Sequence, residues 1–254
     1  MKELFVGVIS PDRKPRNPNL TTKLSEFSAD IHVDGFFASD DFERSKGMLS
    51  TAEIACKRSH AFMYDKAKDE CNWALILEDD AEIDLVKLKQ VWNEIQESNL
   101  RTPHIISCYL GKWSVLTKST VFTGGLKCIY PPDGAVCYFI NTAAMAIASK
   151  NFDFLRPADW PLWSKKINFV VFPNVAWELK SAVSMVDPMK SREEATRSPL
   201  TKLREFLGLE YFKQLGVNGN AIESIWYWVY RQRIAWYFPQ LFKGKRSNNF
   251  FENV

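Results

Sequence analysis

Short apolar runs alternate along most of the chain with segments whose apolar positions recur at helical spacing. The runs predict buried strands at residues 4–9, 31–37, 73–77, 104–110, 135–140 and 167–172. The helical spacing, with capping residues before it, predicts helices that begin near residues 51, 85 and 142. Residues 11–30 are polar and proline-rich, which predicts a loop. Strands that alternate with helices indicate an α/β fold with a largely parallel sheet.

The pattern changes after about residue 188. Ser198-Pro199 opens a segment in which Leu200, Leu203 and Leu207 lie at helical spacing. We therefore predict one α/β domain over residues 1–188 and a helical extension over residues 189–254.

Net charge, cysteine content and the length of apolar stretches bear on the class of protein and on its compartment. The formal net charge of +3 is too small for a dedicated nucleic-acid binder. Five cysteines at wide intervals, without a CxxC pair, favour a reducing compartment. No apolar stretch approaches the ~20 residues that span a bilayer, so we expect a cytoplasmic protein.

Three consecutive carboxylates, Glu78-Asp79-Asp80, follow directly after the apolar run at residues 73–77. Open α/β folds bind ligands at the carboxyl edge of the sheet, and a strand that ends here would place the cluster there. Neighbouring carboxylates repel at neutral pH unless a cation, a proton or full hydration relieves them. A hard divalent cation suits such oxygen ligands. The alternative interpretation is a solvated acidic turn.

The helix that begins near Thr51 carries a stripe of polar residues at helical spacing. Its members are Glu53, Lys57, His60 and Tyr64. The stripe places His60 where it could contact a ribose, a phosphate or a metal site. The alternative is a solvent-facing histidine on an ordinary amphipathic helix.

Two motifs together resemble glycosyltransferase family 25, the lipopolysaccharide-type β-galactosyltransferases. The first is Glu53-Ile54-Ala55-Cys56 followed by Ser59-His60, and the second is the apolar strand that ends in Glu78-Asp79-Asp80. Two further segments keep the order of the family, the run from Gly134 through Tyr138 to Ile140 and the sequence Pro157-Ala158-Asp159. The Pro-rich first loop departs from the family, which often has an Arg-bearing helix there.

The resemblance implies a GT-A-like, single Rossmann-type domain that transfers a sugar, often galactose, from a UDP-sugar with inversion. It implies Mn²⁺, or Mg²⁺, bound by Asp80 as the direct ligand with Glu78 beside it. The residues that it places near the nucleotide sugar are Val8, Ser10, Glu53, Lys57, Ser59, His60, Glu78 and Asp79.

An inverting transfer needs a base that takes the proton of the acceptor hydroxyl. Asp159 is the candidate, with Trp160 as an aromatic surface for the acceptor sugar and Glu178 as the second choice. The alternative for Asp159 is a loop residue that caps a turn.

Aromatic and basic residues alternate over residues 225–246, where no acidic side chain occurs. This pattern suits a membrane surface with anionic lipids, and a lipid-linked glycan acceptor would fit that location. It suits equally a helix whose aromatics complete the core. Two other functions remain open, a metal-dependent phosphohydrolase that uses the same carboxylates and a non-catalytic glycan-binding or scaffold protein.

Overall fold

The computed structural model describes residues 2–28, 30–37, 51–109, 115–118, 122–128, 134–150, 167–179 and 245–246. Four helices are formed in this part of the chain, α1 Leu20–Ser25, α2 Thr51–Ala67, α3 Leu85–Ser98 and α4 Thr142–Lys150. The first five strands are β1 Lys2–Ile9, β2 Ile31–Asp34, β3 Cys71–Glu78, β4 Ala81–Ile83 and β5 His104–Ser107. The others are β6 Val115–Lys118, β7 Leu126–Cys128, β8 Cys137–Asn141, β9 Asn168–Val171, β10 Ala176–Glu178 and β11 Lys245–Arg246.

Nine of these strands form one sheet in the order β11-β6-β7-β9-β5-β8-β3-β1-β2. Strands β2, β1 and β3 are parallel neighbours, and so are β5 and β9. Strand β8 lies antiparallel between β3 and β5. Because two antiparallel steps restore the original direction, six of the nine strands, β2, β1, β3, β5, β9 and β6, run the same way. The α/β fold with a largely parallel sheet is therefore confirmed, with β8 as a reversed strand inside it.

The sheet separates two apolar layers. On one face, α1 and α3 contribute Leu20, Leu24, Leu88, Val91 and Ile95 to a core with Leu75 and Leu77 of β3. On the other face, α2 and α4 pack Met63, Tyr64, Ala144 and Met145 against Ala74 and Ile76 of the same strand. Because successive side chains of a strand point to opposite faces, β3 supplies both layers and reads as a continuous apolar run.

Most of the predicted elements lie within a few residues of the observed ones, and the exceptions are short. Helix α1 lies inside the segment predicted as a loop, because Leu20 and Leu24 are one helical turn apart and both fully buried. The predicted strands end with the run at 167–172, whereas the structure adds β10, which pairs with β4 in a separate two-stranded sheet. Three residues give too short a pattern to be recognised in sequence.

The prediction of a helical extension over residues 189–254 lies outside the described residues, except for Lys245–Arg246. These two residues form β11, which pairs antiparallel with β6 at the edge of the sheet. In the part of the chain that the structure describes, no helix combines the length and apolar character that a membrane span requires.

Candidate functional site

Strands β1 and β3 end side by side, and this brings the predicted site residues together. The two strands are parallel neighbours in a register that pairs Ile9 with Glu78. Ser10 therefore follows β1 at the same edge at which Asp79 and Asp80 follow β3. The Ser10 hydroxyl lies 3.3 Å from Asp79 Oδ2, within hydrogen-bonding distance. The carboxylates thus occupy the carboxyl edge of the sheet, as the sequence predicted.

Arg16, from the loop after β1, lies against the carboxylates. Its Nη2 is 2.6 Å from Asp79 Oδ1 and 3.1 Å from Asp80 Oδ2, and its Nε donates to Asp79 Oδ1 at 2.8 Å. The next residue fixes the loop, because the Asn17 amide donates to the carbonyl of Asp79 and its side chain donates to the carbonyl of Ala81. Asp79 and Asp80 are 4% and 9% exposed. The interpretation of these two residues as a solvated turn is therefore wrong.

Asp80 retains one oxygen that can bind a cation. Its Oδ2 faces Arg16, whereas its Oδ1 is buried and accepts no hydrogen bond from the described residues. Burial raises the pKa of this carboxyl above its ordinary value, and the positive charge of Arg16 opposes the rise. A buried carboxylate oxygen without a donor is costly unless a cation or a proton meets it. The residue present thus fits the Mn²⁺ or Mg²⁺ that the family resemblance implies.

Glu78 lies on the opposite face of the sheet from Asp79. Strand alternation turns its side chain toward α2, where its Oε1 is 3.7 Å from Nε2 of His60. Burial raises the pKa of Glu78 to about 8, and the negative charges of Asp80, Glu178 and Asp79 add to this rise. The positive charge of Arg16 opposes this rise and relieves part of the repulsion within the cluster.

His60 is held in place by two tyrosines. Its Nδ1 and the hydroxyl of Tyr138 are 2.6 Å apart, and that hydroxyl is 2.6 Å from the hydroxyl of Tyr64. The His60 ring also stacks on Tyr138 with centroids 5.7 Å apart. His60 is 1% exposed, so the interpretation of a solvent-facing histidine is wrong.

The polar stripe of α2 faces the interior of the protein. Its members Glu53 and Lys57 are 8% and 2% exposed, and the neighbouring Ser59 is 1% exposed. Ser59 has a structural role, since its hydroxyl donates to the carbonyl of Ala55 and accepts from the backbone amide of Phe36. This contact attaches the segment after β2 to α2.

The remaining predicted site residues do not all lie at the carboxylate edge. Val8 is fully buried in the core, whereas Ser10 lies at the edge of the sheet. Glu178, at the end of β10, is exposed. It lies near enough to Glu78 to raise the pKa of Glu78. The Tyr109 hydroxyl donates to Glu178 Oε1 at 3.4 Å. Asp159 and Trp160 lie outside the described residues.

Sequence reasoning missed Arg16 as a site residue. The available signal was charge, because Arg13, Lys14 and Arg16 lie in the loop after β1, and the carboxylates required a counter-ion at that edge. Tyr138 belongs to a motif in the sequence, but its contact with His60 depends on strand β8, which the sequence does not align with α2.

These features define an α/β protein with a carboxylate centre at the carboxyl edge of its sheet. The family model described as "Glycosyltransferase family 25 (LPS biosynthesis protein)" matches residues 25–136, which include α2, β3 and all three carboxylates. The match confirms the resemblance and the prediction of a glycosyltransferase. No curated protein matches the chain.

Several solved structures are similar to part of the fold. The chain is 6% identical to a mannose-1-phosphate geranyltransferase from Thermus thermophilus, with a TM-score of 0.40 over 69% of this chain and 75% of that one. It is 8% identical to a glycosyltransferase involved in glycosylation of the major capsid of PBCV-1, with a TM-score of 0.42 over 77% and 100%. It is 11% identical to S. aureus TarS 1–349 in complex with UDP-GlcNAc, with a TM-score of 0.30 over 86% and 74%.

Proposed function

We propose that this protein is an inverting, metal-dependent glycosyltransferase that moves galactose from UDP-galactose to a surface-glycan or lipid-linked saccharide. The observation that carries the proposal is the edge formed by Ser10, Arg16, Asp79 and Asp80, with a buried carboxylate oxygen that lacks a donor among the described residues. The proposal includes a GT-A-like domain that binds the nucleotide sugar at this edge.

Asp80, together with Glu78, is the proposed ligand of Mn²⁺ or Mg²⁺. A cation bound there would neutralise negative charge on the departing diphosphate. Arg16 holds the Asp80 Oδ2 atom and leaves Oδ1 for the cation. Asp79, paired with Arg16 and near Ser10, positions the loop after β1 along which the nucleotide would lie.

The acceptor hydroxyl loses its proton to a base as it attacks the anomeric carbon. Asp159 is the proposed base and Trp160 the proposed acceptor surface. Glu178 is the alternative base, because it is exposed beside Glu78 and Tyr109. Asp159→Asn and Glu178→Gln distinguish the two, since loss of the base lowers kcat by about 10²–10⁴-fold while nucleotide binding remains.

The phosphohydrolase alternative requires further histidine ligands near the carboxylates. His104 begins β5, so it lies at the opposite edge of the sheet, and His32 stacks on Phe5 within the fold. Only His60, of the three histidines in the sequence, lies beside the carboxylates. This distribution favours the transferase.

The decisive experiment is release of UDP from a panel of UDP-sugars, measured with and without Mn²⁺ in the presence of saccharide acceptors. We expect metal-dependent release by the wild type and its loss in Asp80→Asn. Asp65→Asn is the matched control, because Asp65 is an exposed residue of α2 that pairs with Lys68. Absence of turnover and of metal-dependent nucleotide binding in the wild type would contradict the proposal.

A second part of the proposal concerns residues 225–246, which would contact the cytoplasmic face of an inner membrane. Its support is the alternation of aromatic and basic residues in the sequence. Co-sedimentation of the full chain with anionic vesicles tests it, with replacement of Arg231, Arg233 and Lys243 by Gln as the comparison. Equal binding by both proteins would contradict a role for these charges.

A further inference from the structure

Three side chains that can ligate a metal meet between α2 and the end of β3. Cys56 and His60 are one helical turn apart on α2, and Glu78 is the last residue of β3. One ligand atom of each residue, the thiol sulfur, an imidazole nitrogen and a carboxylate oxygen, lies within 4.8 Å of the other two. Its sulfur and nitrogen ligands distinguish this group from the oxygen site proposed at Asp80, with which it shares Glu78.

Glu78 and Asp79 point to opposite faces of the sheet. Glu78 follows the alternation of Ala74 and Ile76, which pack toward α2. Asp79 follows that of Leu75 and Leu77 and pairs with Arg16 on the other side. Glu78 and Asp79 therefore lie in two different environments.

The His60 ring is oriented as a metal ligand requires. The Tyr138 hydroxyl bonds Nδ1, and the tyrosine is itself bonded to Tyr64. This leaves Nε2 directed toward Glu78 Oε1 at 3.7 Å. Histidine ligands of zinc commonly have their second ring nitrogen fixed by such a hydrogen bond.

We propose that Cys56, His60 and Glu78 form a binding site for Zn²⁺. Sulfur, imidazole nitrogen and carboxylate oxygen are the three ligand types that Zn²⁺ takes in proteins. Tetrahedral Zn–N and Zn–O bonds place the two ligand atoms about 3.3 Å apart, so His60 and Glu78 need to approach by only a few tenths of an ångström.

Three protein ligands leave a fourth position for water or a substrate oxygen. Cys56 is a partly exposed residue outside any disulfide. Softer ligands favour Zn²⁺ over Mn²⁺ and Mg²⁺, so the two sites would select different cations. The inference rests on this geometry and does not depend on the proposed transferase reaction.

Titration of the full-length protein with Co²⁺ tests the site. Co²⁺ adopts the coordination of Zn²⁺, and its bond to a thiolate gives a charge-transfer absorption in the near ultraviolet. We expect saturation at one equivalent, displacement of the band by Zn²⁺, and its loss in Cys56→Ser. Cys108→Ser is the matched control, since Cys108 is a buried thiol on the other face of the sheet, and we expect it to keep the band.

His60→Gln and Glu78→Gln should each weaken Co²⁺ binding by at least about tenfold without loss of the far-ultraviolet circular dichroism of the folded chain. Asp80→Asn should leave the band unchanged, although it abolishes the proposed Mn²⁺-dependent UDP release. Absence of a saturable thiolate band in the wild type would overturn the proposal, as would an undiminished band in Cys56→Ser. Loss of the band in folded Asp80→Asn would show that the two sites are one.

Discussion

Arg16 and Asp79 form a close ion pair between the loop after β1 and the end of β3. Both Nη2 and Nε of the guanidinium meet the same carboxylate oxygen, at 2.6 and 2.8 Å. The arginine side chain is 29% exposed and the aspartate side chain 6% exposed, so water screens the pair only in part. The loop that carries Arg16 therefore depends on a carboxylate that is 63 residues away in sequence.

Replacement of Arg16 should destabilise the protein and open the carboxylate edge. In Arg16→Gln we expect the free energy of unfolding to fall by about 1.5–3 kcal/mol, because hydrogen bonds to charged groups are lost and Asp79 stays buried. Arg16→Lys is the matched control, since lysine keeps the charge but not the planar fork, and its effect should be smaller. Urea denaturation at pH 7 measures both. An equal loss of unfolding free energy in the two variants would show that the positive charge of Arg16 does not contribute to stability.

The sequence predicted β1, α2, β3 and α3 well because each has a strong local pattern. The run at 73–77 is apolar on both faces, and Asp84 accepts a hydrogen bond from the amide of Lys87 as an N-terminal cap of α3. The position of the carboxylates followed from these elements alone. Local pattern was therefore sufficient wherever neighbouring residues define the element.

The burial of polar side chains on α2 and the direction of β8 depend on contacts between segments that are distant in sequence. The burial of Lys57 and His60 could not be read from α2, because polar residues on one helical stripe normally face water. The direction of β8 cannot be predicted from its own residues, since the apolar run at 135–140 fits a buried strand in either orientation. The pairing of β8 with β3 is what brings Tyr138 to His60.

Stability should fall with rising pH because of Glu78. Its pKa is about 8 in the folded protein, compared with an ordinary value of 4.5. Between these two pH values the folded state holds a proton that the unfolded state has released, so the free energy of unfolding decreases as pH rises. The stabilisation is complete below pH 4.5 and is lost as pH passes through about 8. For one group the slope is at most about 1.4 kcal/mol per pH unit.

Urea denaturation at several values between pH 5 and 8 measures this slope. Glu78→Gln is the control, because the amide cannot titrate, and its stability should fall less steeply than that of the wild type. The ionisable groups that surround the Glu78 carboxyl are Cys56, His60, Asp79, Asp80, Glu178, Arg16 and Tyr138. Because these groups are present in both proteins, the difference between the two slopes reports on Glu78. Identical slopes would contradict the raised pKa.

The hydroxyl of Tyr138 should contribute more to the free energy of unfolding than the hydroxyl of Tyr64. Tyr138 bonds both His60 and Tyr64, whereas the Tyr64 hydroxyl bonds Tyr138. We expect Tyr138→Phe to cost about 2–4 kcal/mol, because it removes a partner from two buried groups, and Tyr64→Phe to cost about 1 kcal/mol. In the double variant the two costs should not add, since they share one hydrogen bond. Additive losses in urea denaturation would exclude a shared network.

Gly134 should not tolerate a side chain, for two separable reasons. Its φ of +91° is a conformation that L-residues rarely adopt, and a Cβ atom there would overlap the ring of Tyr109. We expect Gly134→Ala to lower the free energy of unfolding by at least about 1–2 kcal/mol from the backbone alone. Gly124→Ala is the matched control, because Gly124 lacks a positive φ and its Cβ would come no closer than 3.3 Å to the side chain of Phe172.

The steric part of this loss can be separated by repeating Gly134→Ala in a Tyr109→Ala background. Removal of the ring should restore the part of the loss that comes from overlap and leave the part that comes from φ. Tyr109 also donates to Glu178 at 3.4 Å, so Gly134→Ala should displace that contact at the edge of the proposed site. Thermal denaturation of the four proteins measures the coupling. An unchanged loss in the Tyr109→Ala background would mean that the whole cost is backbone strain and that Tyr109 already moves aside.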